Sequence, residues 1–128
     1  MSLSYVTLGT NDPAKAKPFY AALMAPLGGT MAADYEGFTF CYELPDGGKM
    51  WITRPQNKLE ASVGNGVTIG ITTDSEAKVD AAHAAGLMAG GINEGDPGPR
   101  PDFGPEFYGA YVRDLDGNKL ALVHYRAL

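Results

Sequence analysis

FYGAYVRDLDGNKLALVHY, residues 107–125, reads as a β-hairpin: an aromatic and β-branched run, an Asp116-Gly117 turn, then a second apolar run. Asp-Gly favours tight turns because Gly tolerates positive φ and Asp hydrogen-bonds its own backbone. The same device occurs earlier in FTFCYELPDGGKMWI, residues 38–52. Aligning Asp46-Gly47-Gly48-Lys49 with Asp116-Gly117-Asn118-Lys119 pairs Met50 with Leu120 and Ile52 with Leu122. A second echo lies upstream of each hairpin. Val6-Thr7-Leu8-Gly9 is answered by Val67-Thr68-Ile69-Gly70, and Leu23-Met24 before Gly28-Gly29 by Leu87-Met88 before Gly90-Gly91. The chain is two copies of one strand–helix–strands unit.

At 128 residues it is read as one domain made of two repeats, about residues 1–56 and 64–128, large enough for a core without staples. Its net charge of −5 argues against nucleic acid or an anionic membrane surface as partner. No apolar run approaches membrane-spanning length, and no secretory signal is read before the first strand. Cys41 is the one cysteine, so no internal disulfide is expected; this fits a reducing compartment and a cytoplasmic protein.

In each repeat the alternation of strand residues assigns two faces. Residues 3–9 form the first strand, with Val6 and Leu8 on one side and Tyr5, Thr7 and Gly9 on the other. Asp12 and Pro13 start a helix whose Phe19, Tyr20, Leu23 and Leu27 form an apolar stripe. Pro18 is expected to kink its first turn or to delay the regular helix, and Pro26 with Gly28-Gly29 to end it. A short strand around residues 30–33 follows. In the first hairpin Phe38, Phe40, Tyr42, Met50 and Ile52 are expected under the helix; Thr39, Cys41, Glu43, Trp51 and Thr53 face away. Residues 55–65 are a polar linker. The second repeat opens with a strand over residues 66–73, where Val67, Ile69 and Ile71 face the helix and Thr68, Gly70 and Thr72 face away. Asp74 or Ser75 caps a helix carrying Val79, Ala82 and Leu87. Residues 92–106, rich in Pro and Gly, are expected to form a surface loop of the lid or binding kind. In the last hairpin Tyr108, Ala110, Val112, Leu120 and Leu122 lie under the helix; Gly109, Tyr111, Arg113, Ala121, Val123 and Tyr125 face away.

The fold class that follows is α+β, with tandem βαβββ modules forming a curved mixed sheet around a cleft. Symmetry sets Glu43 opposite Arg113 and Trp51 opposite Ala121. Glu43 and Arg113 either form an internal salt bridge or touch a ligand. Trp51, Tyr5, Tyr111 and Tyr125 either make an aromatic box or fill the space. His124 is read as a structural or surface residue, His83 as half-buried packing, Cys41 as a small packing residue, and Arg100 as a loop residue that reaches over the cleft or is solvated.

The order βαβββ–βαβββ, with LGTNDPAKAKPFYAALMAPLG, GNGVTIGI and RPDFGPEFYGAYVRDLDGNKL in sequence, resembles the vicinal oxygen chelate superfamily of glyoxalases, bleomycin-resistance proteins and extradiol dioxygenases, in its small bacterial glyoxalase-like branch. The resemblance implies a cleft cation held by His, Gln or Glu from the first and last strands of each module. Those positions carry Tyr5, Thr68, Trp51 and Ala121 here, none of them a plausible ligand. The expectation is therefore a degenerate metal site, with no metal and no cofactor. It leaves a small organic molecule bound by Tyr5, Glu43, Trp51, Thr68, Tyr111 and Arg113. The resemblance further implies a homodimer. The alternative is a metal-dependent lyase, isomerase or dioxygenase of the glyoxalase type, or a metal-free enzyme with Glu43 as general base.

Overall fold

The structure, a computed structural model, describes residues 3–128. The first module runs β1 (Tyr5–Gly9), α1 (Pro13–Leu27), β2 (Thr30–Tyr35), β3 (Thr39–Glu43) and β4 (Lys49–Thr53); the second runs β5 (Ile69–Thr72), α2 (Glu76–Met88), β6 (Ile92–Pro99), β7 (Phe107–Arg113) and β8 (Lys119–Tyr125). Each module makes its own four-stranded mixed sheet, ordered β1-β4-β3-β2 and β5-β8-β7-β6. The first strand of each is parallel to the last, and the other pairings are antiparallel. The duplication seen in the sequence is thus a duplication of topology.

Local signals place the helices. The Asp12 carboxylate accepts from the Lys15 backbone N–H at 3.2 Å, and α1 ends on Gly28 at φ 76°. Pro18 lies inside α1, which nonetheless runs continuously from Pro13 to Leu27. In the second module Ser75 is the cap, accepting from Lys78 N–H at 3.2 Å, while Asp74 pairs with the Lys78 ammonium at 2.8 Å. Both hairpins turn on glycines at positive φ, Gly47 at 94° and Gly117 at 92°.

Both helices cover the same side of their sheets and share one core. Phe19, Tyr20, Leu23, Met24, Phe40, Met50 and Ile52 of the first module join Ile71, Val79, Val112, Leu120 and Leu122 of the second in a single buried cluster. Tyr20, Phe40 and Tyr42 meet edge to face in sequence, with ring centroids 6.1 and 6.2 Å apart. A fully buried side chain of this size contributes about 1.5–3 kcal/mol through removal of apolar surface from water. The helices cross closely at Gly86, where an added Cβ would stand 3.2 Å from Leu23 Cδ1 and 3.6 Å from Val112 Cγ2.

Four expectations change. Residues 92–106 are not one loop: Ile92–Pro99 is strand β6, paired antiparallel with β7 through a ladder interrupted twice, and Pro101–Phe103 is a short 3-10 turn. The two irregularities absorb Gly and Pro that a regular ladder would reject. Strand β5 begins only at Ile69, so Val67 and Thr68 precede it, and Val67 is exposed. Phe38 lies outside β3 and is exposed, not under α1. His83, read as half-buried, is buried, and its Nε2 lies 3.0 Å from Asn93 Oδ1. The linker is irregular as expected, with no helix or strand over residues 54–68.

Candidate functional site

The face of each sheet turned away from the helices carries matched rows. In the first module one row is Thr7, Trp51, Cys41 and Ala33; in the second it is Gly70, Ala121, Tyr111 and Gly95. Each row pairs one large aromatic with a small cross-strand neighbour. The aromatic sits on β4 in one module and on β7 in the other. Trp51 and Tyr111 are half-buried, while Cys41 and Ala121 are buried. Burial also raises the Cys41 thiol pKa, so Cys41 is a packing residue rather than a thiolate. At Gly70 the floor is open: a Cβ there would meet no atom within 4 Å.

The neighbouring row is charged. Glu43 faces Lys49 across the β3–β4 ladder, with 3.9 Å between Oε1 and Nζ. Arg113 faces Lys119 across the β7–β8 ladder. Arg113 does not pair with Glu43. Its Nε donates to Glu94 Oε1 at 2.7 Å and its Nη1 to the Gly117 carbonyl at 2.8 Å. Symmetry put Glu43 and Arg113 at equivalent places on separate sheets, and the real partner comes from β6. The hydrogen bond from Arg113, then its charge, holds the Glu94 carboxyl below its ordinary pKa. Over the Tyr111 ring stand two cations, Lys119 Nζ at 5.2 Å and Arg100 Cζ at 5.7 Å from the centroid. Arg100 therefore does reach the cleft face, and its guanidinium is held by the Asp96 and Gly98 carbonyls at 2.6 and 2.9 Å.

Two hollows open beside these rows. One, of about 270 Å³, lies along the seam between the modules, walled by Tyr5 and Lys49 from the first and by Gly70 and Thr72 from the second. The other, of about 620 Å³, lies under the linker and is lined by Thr7, Phe38, Thr53, Arg54, Gln56 and Glu60 among others. Asn11 pins the linker there: its side chain accepts from Ala61 N–H at 2.7 Å and donates to the Ala61 carbonyl at 3.2 Å.

The predicted site residues are thus only partly gathered. Trp51 belongs to the first module's row, Tyr111 and Arg113 to the second module's cationic cluster, and Tyr5 to the seam, 59% exposed. Thr68 is exposed ahead of β5, and Glu43 is exposed beside Lys49. Among the described residues, the four aromatics make no paired box: Tyr125 meets Phe107 edge to face, and Phe107 meets Phe103 in the same way. His124 points away, its Nδ1 2.9 Å from the Thr73 carbonyl. Sequence reasoning passed over Glu94, Lys119 and Arg54. For Lys119 a signal existed, because the repeat alignment already sets it on Lys49.

The positions that the resemblance assigns to a cation do not fit one. They offer a phenol, an indole, a Thr hydroxyl and a methyl, and among the described residues no three His, Cys, Asp or Glu side chains are grouped to hold a metal.

Comparison with known proteins agrees with this architecture. The family model described as Glyoxalase/Bleomycin resistance protein/Dioxygenase superfamily matches residues 2–122. A glyoxalase/bleomycin resistance protein from Albidiferax ferrireducens T118 is 40% identical over 95% of this chain and 97% of its own, with a TM-score of 0.85. A glyoxalase-related enzyme from Fulvimarina pelagi (18% identity, 97% and 88% covered, TM-score 0.76) shares the fold. So does a lactoylglutathione lyase from Agrobacterium tumefaciens (18% identity, 96% and 92% covered, TM-score 0.66). No curated protein matches the chain. With two βαβββ modules, a shared helix-side core and a family match over nearly its whole length, this chain belongs to the Glyoxalase/Bleomycin resistance protein/Dioxygenase superfamily.

Proposed function

We propose that this protein binds a small organic molecule on the cleft face of its paired sheets, without a metal. The observation that carries the reading is the donor set. Tyr5, Trp51, Thr68 and Ala121 stand where the resemblance implies cation ligands, and they replace hard donors with apolar and weakly polar surface. Concave sites between structural units, mostly apolar with a few convergent polar groups, are frequent ligand pockets. The seam hollow, the open floor at Gly70 and the Trp51 and Tyr111 rows supply those elements. The same reading includes a cytoplasmic homodimer. It is supported by β2, an outer edge strand exposed at five of its six residues, including Met31 and Tyr35, because an uncovered edge invites pairing.

Elemental analysis of protein purified without chelator, followed by thermal-shift screening against small aromatics and glutathione adducts, tests the reading. The expected result is no stoichiometric transition metal, an unchanged melting temperature on chelation, and stabilisation by an organic ligand. About one metal per chain, lost together with stability on chelation, overturns it.

A further inference from the structure

The two modules differ at one charged position in a way that names a ligand class. Glu43 and Lys49 oppose each other across β3 and β4; the equivalent residues across β7 and β8 are Arg113 and Lys119. An attractive pair in the first module has become a repulsive one in the second, and like charges directly opposite on an antiparallel ladder destabilise it. Glu94 is the carboxylate that answers them, engaged by Arg113 Nε at 2.7 Å. Arg100 adds a third cation at the same Tyr111 ring. Three cations thus gather about Tyr111 and its neighbours on a chain whose net charge is −5, and only Arg113 among them is paired with a carboxylate side chain, that of Glu94. Among the described residues, Lys119 Nζ has no hydrogen-bond or ion-pair partner, and Arg113 Nη2 makes no hydrogen bond, since the two bonds of Arg113 use Nε and Nη1. Both cations project from the cleft face. Two residues along β8 from Lys119, roughly 7 Å away, Ala121 sits beside the open floor at Gly70.

We propose that Arg113 and Lys119 hold the carboxylate of a small organic acid whose body extends toward Gly70. This rests on the small-molecule reading above and assigns its ligand class. A carboxylate bridging the two cations removes their repulsion and completes the donor fork that Arg113 leaves half used. Hydrogen bonds to charged groups are strong enough that losing one weakens binding about tenfold or more.

Amide-resolved NMR titrations of the full chain with benzoate, benzamide and inorganic phosphate test this. Benzoate should shift the Tyr111, Arg113 and Lys119 amides saturably, bind at least about tenfold more tightly than benzamide, and weaken as salt is added. Lys119→Gln should abolish the preference for benzoate. Equal binding of benzoate and benzamide overturns the acid class while leaving the small-molecule reading intact. Phosphate binding as well as benzoate supports the paired cations as an anion site but overturns the organic body. No shift with any of the three overturns the proposal. An independent variant is Lys119→Glu, which restores the charge pattern of the first module. It should raise the melting temperature at low salt and eliminate the response to benzoate; a lowered melting temperature removes the repulsion on which the proposal stands.

Discussion

The side-chain amide of Asn118 donates to the carbonyl of Gly9 at 2.9 Å, tying the hairpin turn of the second module to the end of the first strand of the first. The same nitrogen donates to Asp114 Oδ2 at 2.9 Å, and Asp114 also accepts from the Tyr20 hydroxyl at 2.5 Å. The turn sequence Asp-Leu-Asp-Gly-Asn therefore does more than reverse the chain: it closes a buried polar bridge between modules.

Removing Asn118 should be costly. Asn118→Ala leaves the Gly9 carbonyl and the Asp114 carboxylate each short of a donor, and an unsatisfied buried polar group costs about 1–3 kcal/mol. Chemical denaturation should show a lower midpoint; an unchanged midpoint means that water replaces the amide freely.

Burial pushes the Asp114 carboxyl above its ordinary pKa, although the hydrogen bonds from Tyr20 and Asn118 pull the other way. The folded protein then holds this proton more tightly than the unfolded chain. Its contribution to stability is greatest at acid pH and falls as pH rises from the ordinary aspartate value to the raised one. Comparing denaturation of wild type and Asp114→Asn across that window isolates the term, since the Asn variant lacks this step. Parallel pH profiles for the two proteins contradict the assignment.

Glu94 should behave oppositely. Its carboxyl is held low by Arg113, so the pairing contributes above the ordinary glutamate value and is lost as pH falls through the folded one. A double-mutant cycle with Glu94→Gln and Arg113→Ala should show coupling that salt weakens. The same cycle with Glu43→Gln in place of Glu94→Gln should show none, because Glu43 lies beside Lys49.

Ligand affinity should depend on Trp51 and Arg113 more than on either histidine. Truncating a central aromatic or Arg anchor commonly costs ~2 kcal/mol or more, so Trp51→Ala or Arg113→Ala should weaken a bound ligand at least ~30-fold. His124→Ala should change affinity little, since the ring bonds the Thr73 carbonyl. Calorimetry giving equal affinity for wild type and Arg113→Ala removes that residue from the site.

What residue order settled was whatever repeats locally. Alternation along β3, β4, β7 and β8 is enforced by the pleat, so Phe40, Tyr42, Met50, Ile52, Val112, Leu120 and Leu122 could be assigned to the core without coordinates. The Asp-Gly turns and the duplicated spacing then dictated two equivalent modules. Tertiary structure decided what has no local period. Strand β6 is written Ile-Asn-Glu-Gly-Asp-Pro-Gly-Pro, which alternates nothing and reads as loop; only its interrupted ladder with β7 makes it a strand. Because β6 went unread, its Glu94 could not be matched to Arg113, and symmetry offered Glu43 instead. The bond between Tyr20 and Asp114 spans 94 positions of sequence, and no pattern in either neighbourhood announces it. Strand direction says which face a side chain occupies; only the pairing of strands and the packing of modules in three dimensions say which partner it meets.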